Sequence, residues 1–233
     1  MNFEPTPSTS VVDHVVNELR RAIYGQRLKA GDRLVERQLA ADLGVSHIPV
    51  REALARLTEE GLLERLPRKG CRVTTITVED LDEFASIREL LEQFVAVRVQ
   101  ERLTPESEAE LRQIAEAMIL AAADDDVEEV IRLDEQFHRR LWALADHKLL
   151  SDLSGQLRSR INAFLYAATL SLSGPELQQH AESHVRLLDA IASRKIRLAR
   201  AATSEHITTA MDRIRRTIEG AAATTADDTP VSS

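Results

Sequence analysis

Three histidines and one aspartate in this chain are spaced as a metal site would need them. Asp134 and His138 stand four residues apart in LDEQFH, which puts both side chains on one face of one helix. His184, in ESHVRLLDAI, and His206, in SEHITTAM, fall in two later helical stretches. If those helices share a bundle, three imidazoles and a carboxylate converge in its core and would bind a transition metal. Neutral imidazole suits zinc, nickel, copper or iron, and the carboxylate adds compensating charge. Spacing alone leaves other readings open, because an Asp and a His at i, i+4 also pair on exposed faces and a single histidine also serves as a core group. His147 and His180 fall outside the pattern and are read as surface residues, and His14 as structural or surface.

A different chemistry is written between Asp32 and Val73. Leu34, Leu39 and Leu43 recur at helical spacing until Gly44 breaks the helix. Ser46 then offers an N-cap, and Pro49 sits in the first turn, where its missing N–H does no harm. Val50, Ala53, Leu54 and Leu57 make the inner face of this second helix, leaving His47, Ile48, Arg51, Glu52 and Ala55 on or near the outer one. After Gly61 come Leu62, Leu63 and Leu66, the turn Pro67-Arg68-Lys69-Gly70, and alternating Cys71, Val73 and Thr75, which predict a two-stranded wing. Two helices joined by a tight turn, with an arginine exposed near the start of the second, suit major-groove docking. Arg68 and Lys69 on the wing suit phosphate contact. For Arg51 alone, a salt bridge to Glu52 or Glu36 is the competing reading.

The elements that must position these groups follow from periodicity. Residues 1–10 read as a flexible arm, with Ser10 or Thr9 as a cap, and the Val11, Val12, Val15, Val16, Leu19, Ile23 stripe predicts a helix over 11–24. The DNA-binding domain is placed at 11–76. Thr77, with Asp80 completing a capping box, starts a long helix whose apolar face includes Leu81, Phe84, Ile87, Leu90, Leu91, Phe94, Val95, Val97 and Val99. Thr104-Pro105, Asp124-Asp125-Asp126 and Ser173-Gly174-Pro175 mark further helix boundaries, and the last helix is placed at 197–219. The reading is a mostly α chain: a winged helix-turn-helix, then a bundle of about six helices over 77–219, then a disordered tail at 220–233.

Charge is distributed unevenly. The chain carries a net charge of −8, yet residues 1–76 hold 12 Lys and Arg against 10 Asp and Glu, while 77–233 hold 18 against 28. A mildly basic head on an acidic body directs nucleic acid to the head. Cys71 is the single cysteine, so no intrachain disulfide forms, and it reads as a small buried wing residue. The longest apolar stretch, Ala117 to Ala123, is too short to span a bilayer. A soluble, cytoplasmic protein with no membrane partner is expected.

The string VERQLAADLGVSHIPVREALARLTEEGLLE, followed by PRKGCRV, resembles the DNA-binding domain of GntR-family bacterial transcription regulators. The resemblance implies that Arg37, Arg51 and Gly70 contact operator DNA. Ser46, His47 and Ile48 at the helix start, with Arg68 and Lys69 on the wing, complete the expected interface. His47 departs from the family, where Arg usually follows the Ser; a bidentate Arg–guanine pair gives about 1–3 kcal/mol of discrimination that His cannot reproduce. Further on, DEQFH, HVRLLDAI and SEHI resemble the FadR-type C-terminal effector domain (FCD) over about residues 80–218. In metal-containing members of that domain, the positions of Asp134, His138, His184 and His206 hold a divalent ion, for which zinc is the first expectation and nickel, manganese or iron the alternatives. The same resemblance implies a small organic acid at the metal's open positions. It also implies that Arg88, in SIRELLE, pairs with the acid's carboxylate, against the plainer reading of a salt bridge to Glu89 or Glu92.

Together these features predict a metabolite-responsive regulator, a repressor of a metabolic operon, that binds a near-palindromic operator as a homodimer. A metal-dependent enzyme fused to a DNA-binding head is the alternative from another class. It finds no support in an HExxH pair, a Gly-rich phosphate loop or a serine nucleophile elbow, all of which this chain lacks. A helical adaptor with structural histidines is the third reading.

Overall fold

The computed structural model describes residues 10–25, 27–67 and 70–227, the side chains of 151–152, 154–160, 162–163 and 220–227 excepted. The chain divides into two compact units, residues 1–75 together with 158–163, and residues 76–157 together with 164–233.

In the first unit, α1 (Val11–Tyr24) is followed by β1 (Arg33–Leu34), α2 (Glu36–Asp42), α3 (His47–Glu59), β2 (Leu63–Leu66) and β3 (Gly70–Val73). Ser10 and Asp13 form a reciprocal capping box that starts α1, whose Val15, Val16, Leu19 and Ile23 are buried. Gly44, at φ +65°, reverses the chain between α2 and α3. From α3, Val50, Ala53, Leu54 and Leu57 enter the core, where full burial of a leucine contributes about 1.5–3 kcal/mol. Arg56 bonds Asp13 at 2.6 Å and Arg20 forks onto Glu60 at 2.8–2.9 Å, tying α1 to the far end of α3.

The wing corrects the sequence reading in one respect. It is three-stranded, in the order β1-β3-β2, and Leu34 belongs to its short third strand, paired with Cys71, and not to α2. A lone leucine fits a period of two as well as a period of 3.6, so only the pairing partner decides. Gly70 is what lets the third strand in. Its φ is +84°, and a Cβ built there would stand 2.6 Å from the Leu34 carbonyl oxygen. Cys71 is buried as a free thiol. The arm up to residue 9, and the wing residues Arg68 and Lys69, lie outside the described residues.

The second unit is built from α4 (Val78–Arg102), α5 (Pro105–Ala123), α6 (Val127–Leu144), α7 (Lys148–Leu170), α8 (Gly174–Ala192) and α9 (Ile196–Asp227). Capping boxes from Thr77 and Thr104 open α4 and α5, and Asp126 caps α6 by accepting the Glu129 N–H. The core interleaves Leu111 and Met118 of α5, Phe137 and Trp142 of α6, and Leu177, Leu188 and Ile191 of α8. Two differences from the sequence reading stand out. On α4, Ile87, Leu90 and Phe94 are 47%, 67% and 47% exposed, while Arg88, Glu92 and Gln100 are buried. The helix carries two apolar stripes, and the bundle covers the one through Leu81, Val95 and Val99. At the other end, α9 continues as helix to Asp227, past the expected stop at Glu219. The Ala-rich run beyond Gly220 adds turns to an existing helix, which costs no nucleation. Among the described residues, no helix is long and apolar enough to cross a membrane.

Candidate metal centre and nucleic-acid interface

On the first unit, the start of α3 forms a polar face. Ser46 occupies the N-cap position but makes no side-chain cap hydrogen bond, and His47 and Ile48 follow it in the first turn, Ile48 67% exposed. Arg51 lies one turn on, its side chain 68% exposed and held by Glu36 of α2 through two hydrogen bonds of 2.9 and 3.2 Å. The Arg51 guanidinium keeps the Glu36 carboxyl below its usual range. The pairing weighed from sequence therefore exists, yet it leaves the arginine at the surface with its direction fixed. Arg37 is exposed on α2 beside it. Gly70, exposed at the wing, has the structural task of admitting β1.

In the second unit, α6, α8 and α9 bring the Asp134, His138, His184 and His206 side chains together. His184 Nε2 lies 2.9 Å and His138 Nε2 3.9 Å from Asp134 Oδ1, and His206 Nε2 lies 3.2 Å from His138 Nε2. The ligand atoms of His138, His184 and His206 all fall within 4.8 Å of one another. All three rings are buried, and Phe137 meets the His138 and His184 rings edge-on at 5.7 and 5.2 Å.

The hydrogen bonds around the rings fix which nitrogen carries a proton. His184 Nδ1 faces the His180 carbonyl oxygen at 3.0 Å, and since a carbonyl only accepts, Nδ1 donates. Ser183 Oγ donates to that same carbonyl at 2.6 Å, so its lone pairs receive the N–H of His206 Nδ1 at 3.2 Å. One backbone carbonyl thus sets the tautomer of two imidazoles, directly and through a serine. His206 Nε2 is thereby left with a lone pair pointed inward, while His184 Nε2 faces Asp134 Oδ1 at 2.9 Å. Burial, reinforced by the neighbouring imidazoles, holds His206 well below its ordinary value and therefore neutral. Burial works to raise Asp134, but His138, His180 and His184 outweigh it and hold the carboxyl well below the carboxylate range. The 2.9 Å contact between His184 Nε2 and Asp134 Oδ1 takes either a proton donated by Nε2 or a cation bridging the two. The donor set of neutral imidazoles and one carboxylate fits a divalent transition metal.

His180 corrects the sequence reading. It is buried, and its Nε2 stands 3.4 Å from Asp134 Oδ1 without a hydrogen-bond partner among the described residues. Burial presses its pKa down to about 4. The signal was available, because His180 and His184 are four apart and share a helix face. His147 is not a plain surface residue either: half-buried, it caps α7 by accepting the Leu150 N–H on Nδ1 at 3.2 Å. Arg88 takes the plainer of its two readings, donating from Nε to Glu92 at 2.6 Å in a buried pair, with Nη1 unpartnered among the described residues. Sequence reasoning also missed Ser183 and Arg213. With Thr209, they line a cavity of about 280 Å³ between α8 and α9 that reaches His180 and His206.

Comparison with known proteins sorts the two units the same way. Residues 11–73 match the family described as "Bacterial regulatory proteins, gntR family", and residues 83–209 match the FCD domain. The chain is 30% identical to the HTH-type transcriptional regulator McbR of Escherichia coli over 81% of this chain and 88% of that protein. It is 26% identical to the HTH-type transcriptional repressor RspR of Escherichia coli over 90% and 91% respectively. The solved structure of E. coli McbR/YncC superposes with a TM-score of 0.73 at 28% identity, covering 90% of this chain and 99% of that one.

Proposed function

The chain belongs to the GntR family of bacterial regulatory proteins, with an FCD domain behind its winged helix, and on that footing we propose a repressor whose bundle senses a small organic acid at a bound metal ion. It is a DNA-binding transcription regulator, as its relatives are named transcriptional regulators. The observation that carries the finer reading is the convergence of Asp134, His138, His184 and His206: the ligand atoms of the three histidines lie within 4.8 Å of one another, and Asp134 Oδ1 reaches His184 Nε2 at 2.9 Å. These four residues would hold the ion, with zinc first and nickel, manganese or iron as alternatives. When bound, the ion supplies a positive centre with open positions for a carboxylate. Arg88, with Nη1 unpartnered among the described residues, stays a candidate for the acid's second contact.

The operator is double-stranded DNA with near two-fold symmetry, because one winged helix reads one half-site and a homodimer supplies the second. Ile87, Leu90 and Phe94, exposed side by side on α4, support a second copy as what covers them. The place of action is the cytoplasm, where DNA and a reduced Cys71 coexist. Acid binding shifts the two DNA heads only as far as its differential affinity for their arrangements allows. The test is a gel shift with DNA from the gene's own upstream region. Arg51→Ala should weaken retardation by about 5- to 150-fold, the equivalent of the roughly 1–3 kcal/mol of one bidentate base contact, with helicity unchanged. Equal retardation by both proteins would remove Arg51 from the interface.

A further inference from the structure

The cavity between α8 and α9 has an occupant written into its charges. Arg213 projects from α9 seven residues beyond His206, on the same helix face. It is only 9% exposed, and its side chain is in hydrogen-bond or ion-pair contact with no other described residue, Asp134 and Glu176 acting on its charge from farther off. A guanidinium removed from water without an anion in contact is costly, and buried arginines are otherwise paired. Burial accordingly lowers its pKa. Asp134, the carboxylate behind the cavity, is already engaged by His184 at 2.9 Å. The neighbouring walls add His180, its Nε2 unpartnered among the described residues, His206, the Ser183 and Thr209 hydroxyls, and charges of both signs on Glu176, Glu205, Arg186 and Arg216. At about 280 Å³ the space lies at the lower edge of small-molecule sites, too small for a nucleotide or a long acyl chain.

We propose that Arg213 anchors the acid in this cavity, taking one carboxylate of a small mono- or dicarboxylate on its planar fork while the ligand's other end reaches toward His180 and His206. The planar guanidinium matches a carboxylate bidentately, which a lysine ammonium does not. This deepens the reading of the bundle as an acid sensor, and rests on it. It gives the anchoring role to Arg213 in preference to Arg88, which Glu92 already holds.

The experiment is a thermal-shift titration of zinc-supplemented full-length protein with acetate, malate and citrate, run on wild type, Arg213→Gln, Arg213→Lys and Arg88→Gln, with zinc content measured on each. Wild type should gain midpoint with at least one acid. Arg213→Gln should need roughly 10- to 100-fold more of it, as for loss of a charge-assisted contact, with zinc content unchanged. Its midpoint without acid should equal or exceed wild type, because an uncompensated buried charge has gone; a purely structural arginine would lower it. Arg213→Lys should be impaired as well, and Arg88→Gln should lose less of the response than Arg213→Gln. If Arg88→Gln loses the response and Arg213→Gln keeps it, the anchor is wrong while the acid-sensing reading stands. If wild type responds to none of the acids while binding zinc, the cavity assignment and the acid reading both fall.

Discussion

Replacing Gly70 with alanine separates architecture from recognition at the wing. By its place in the motif Gly70 is a DNA-contact position, whereas the structure gives it a task inside the sheet. Its φ of +84° strains any L-residue, at about 1–2 kcal/mol. The added Cβ would stand 2.6 Å from the Leu34 carbonyl oxygen, a backbone atom that cannot swing aside. Relief requires β1 to move away from β3, which loosens the Leu34–Cys71 and Arg33–Arg72 pairs; one or two weakened hydrogen bonds add about 0.5–1.5 kcal/mol each. A local loss of about 2–4 kcal/mol follows, or roughly 30- to 1,000-fold in an opening equilibrium. Native-state hydrogen exchange reads it at two amides: Val73 N–H, bonded to Asp32 O at 2.9 Å, and Gly31 N–H, bonded to Val73 O at 3.0 Å. Both should lose protection by that factor in Gly70→Ala. Unchanged protection together with lost operator binding would refute the reasoning and return Gly70 to a role in DNA approach alone.

Two further outcomes are expected. Ser183→Ala removes the acceptor that fixes the His206 tautomer and should weaken zinc affinity by about 10- to 100-fold, the usual effect of losing an outer-shell partner; competition against a chromophoric chelator measures it. Leu90→Glu places a charge in the exposed α4 stripe and should shift the chain from dimer to monomer in sedimentation at micromolar concentration, with helicity retained. A dimer that persists would assign the contact to another face.

The sequence disclosed most of the architecture because its signals are local. Ser10 with Asp13, Thr77 with Asp80 and Thr104-Pro105 each state a helix start in adjacent residues, and each helix begins there. The inner face of α3 is legible for the same reason, four apolar residues at a period one helix can satisfy. What escaped depends on partners distant in the chain. Leu34 becomes a strand residue only through Cys71, and one of α4's two stripes is covered only because the bundle packs on that side. At the site, spacing nominated the four residues that the bundle brings together, but His180 was passed over because its relation to Asp134, across α6 and α8, is tertiary. Arg213 carried no signal by type, since arginine on a helix is ordinarily solvated; burial without a counter-charge in contact distinguishes it.

Metal content tests the central claim most directly. Elemental analysis of full-length protein, after zinc loading and dialysis against metal-free buffer, should find about one equivalent per chain in the wild type. The Asp134→Ala, His184→Ala double variant, folded by circular dichroism, should retain none. Wild-type protein that holds no metal, or a double variant that keeps it, would contradict the account.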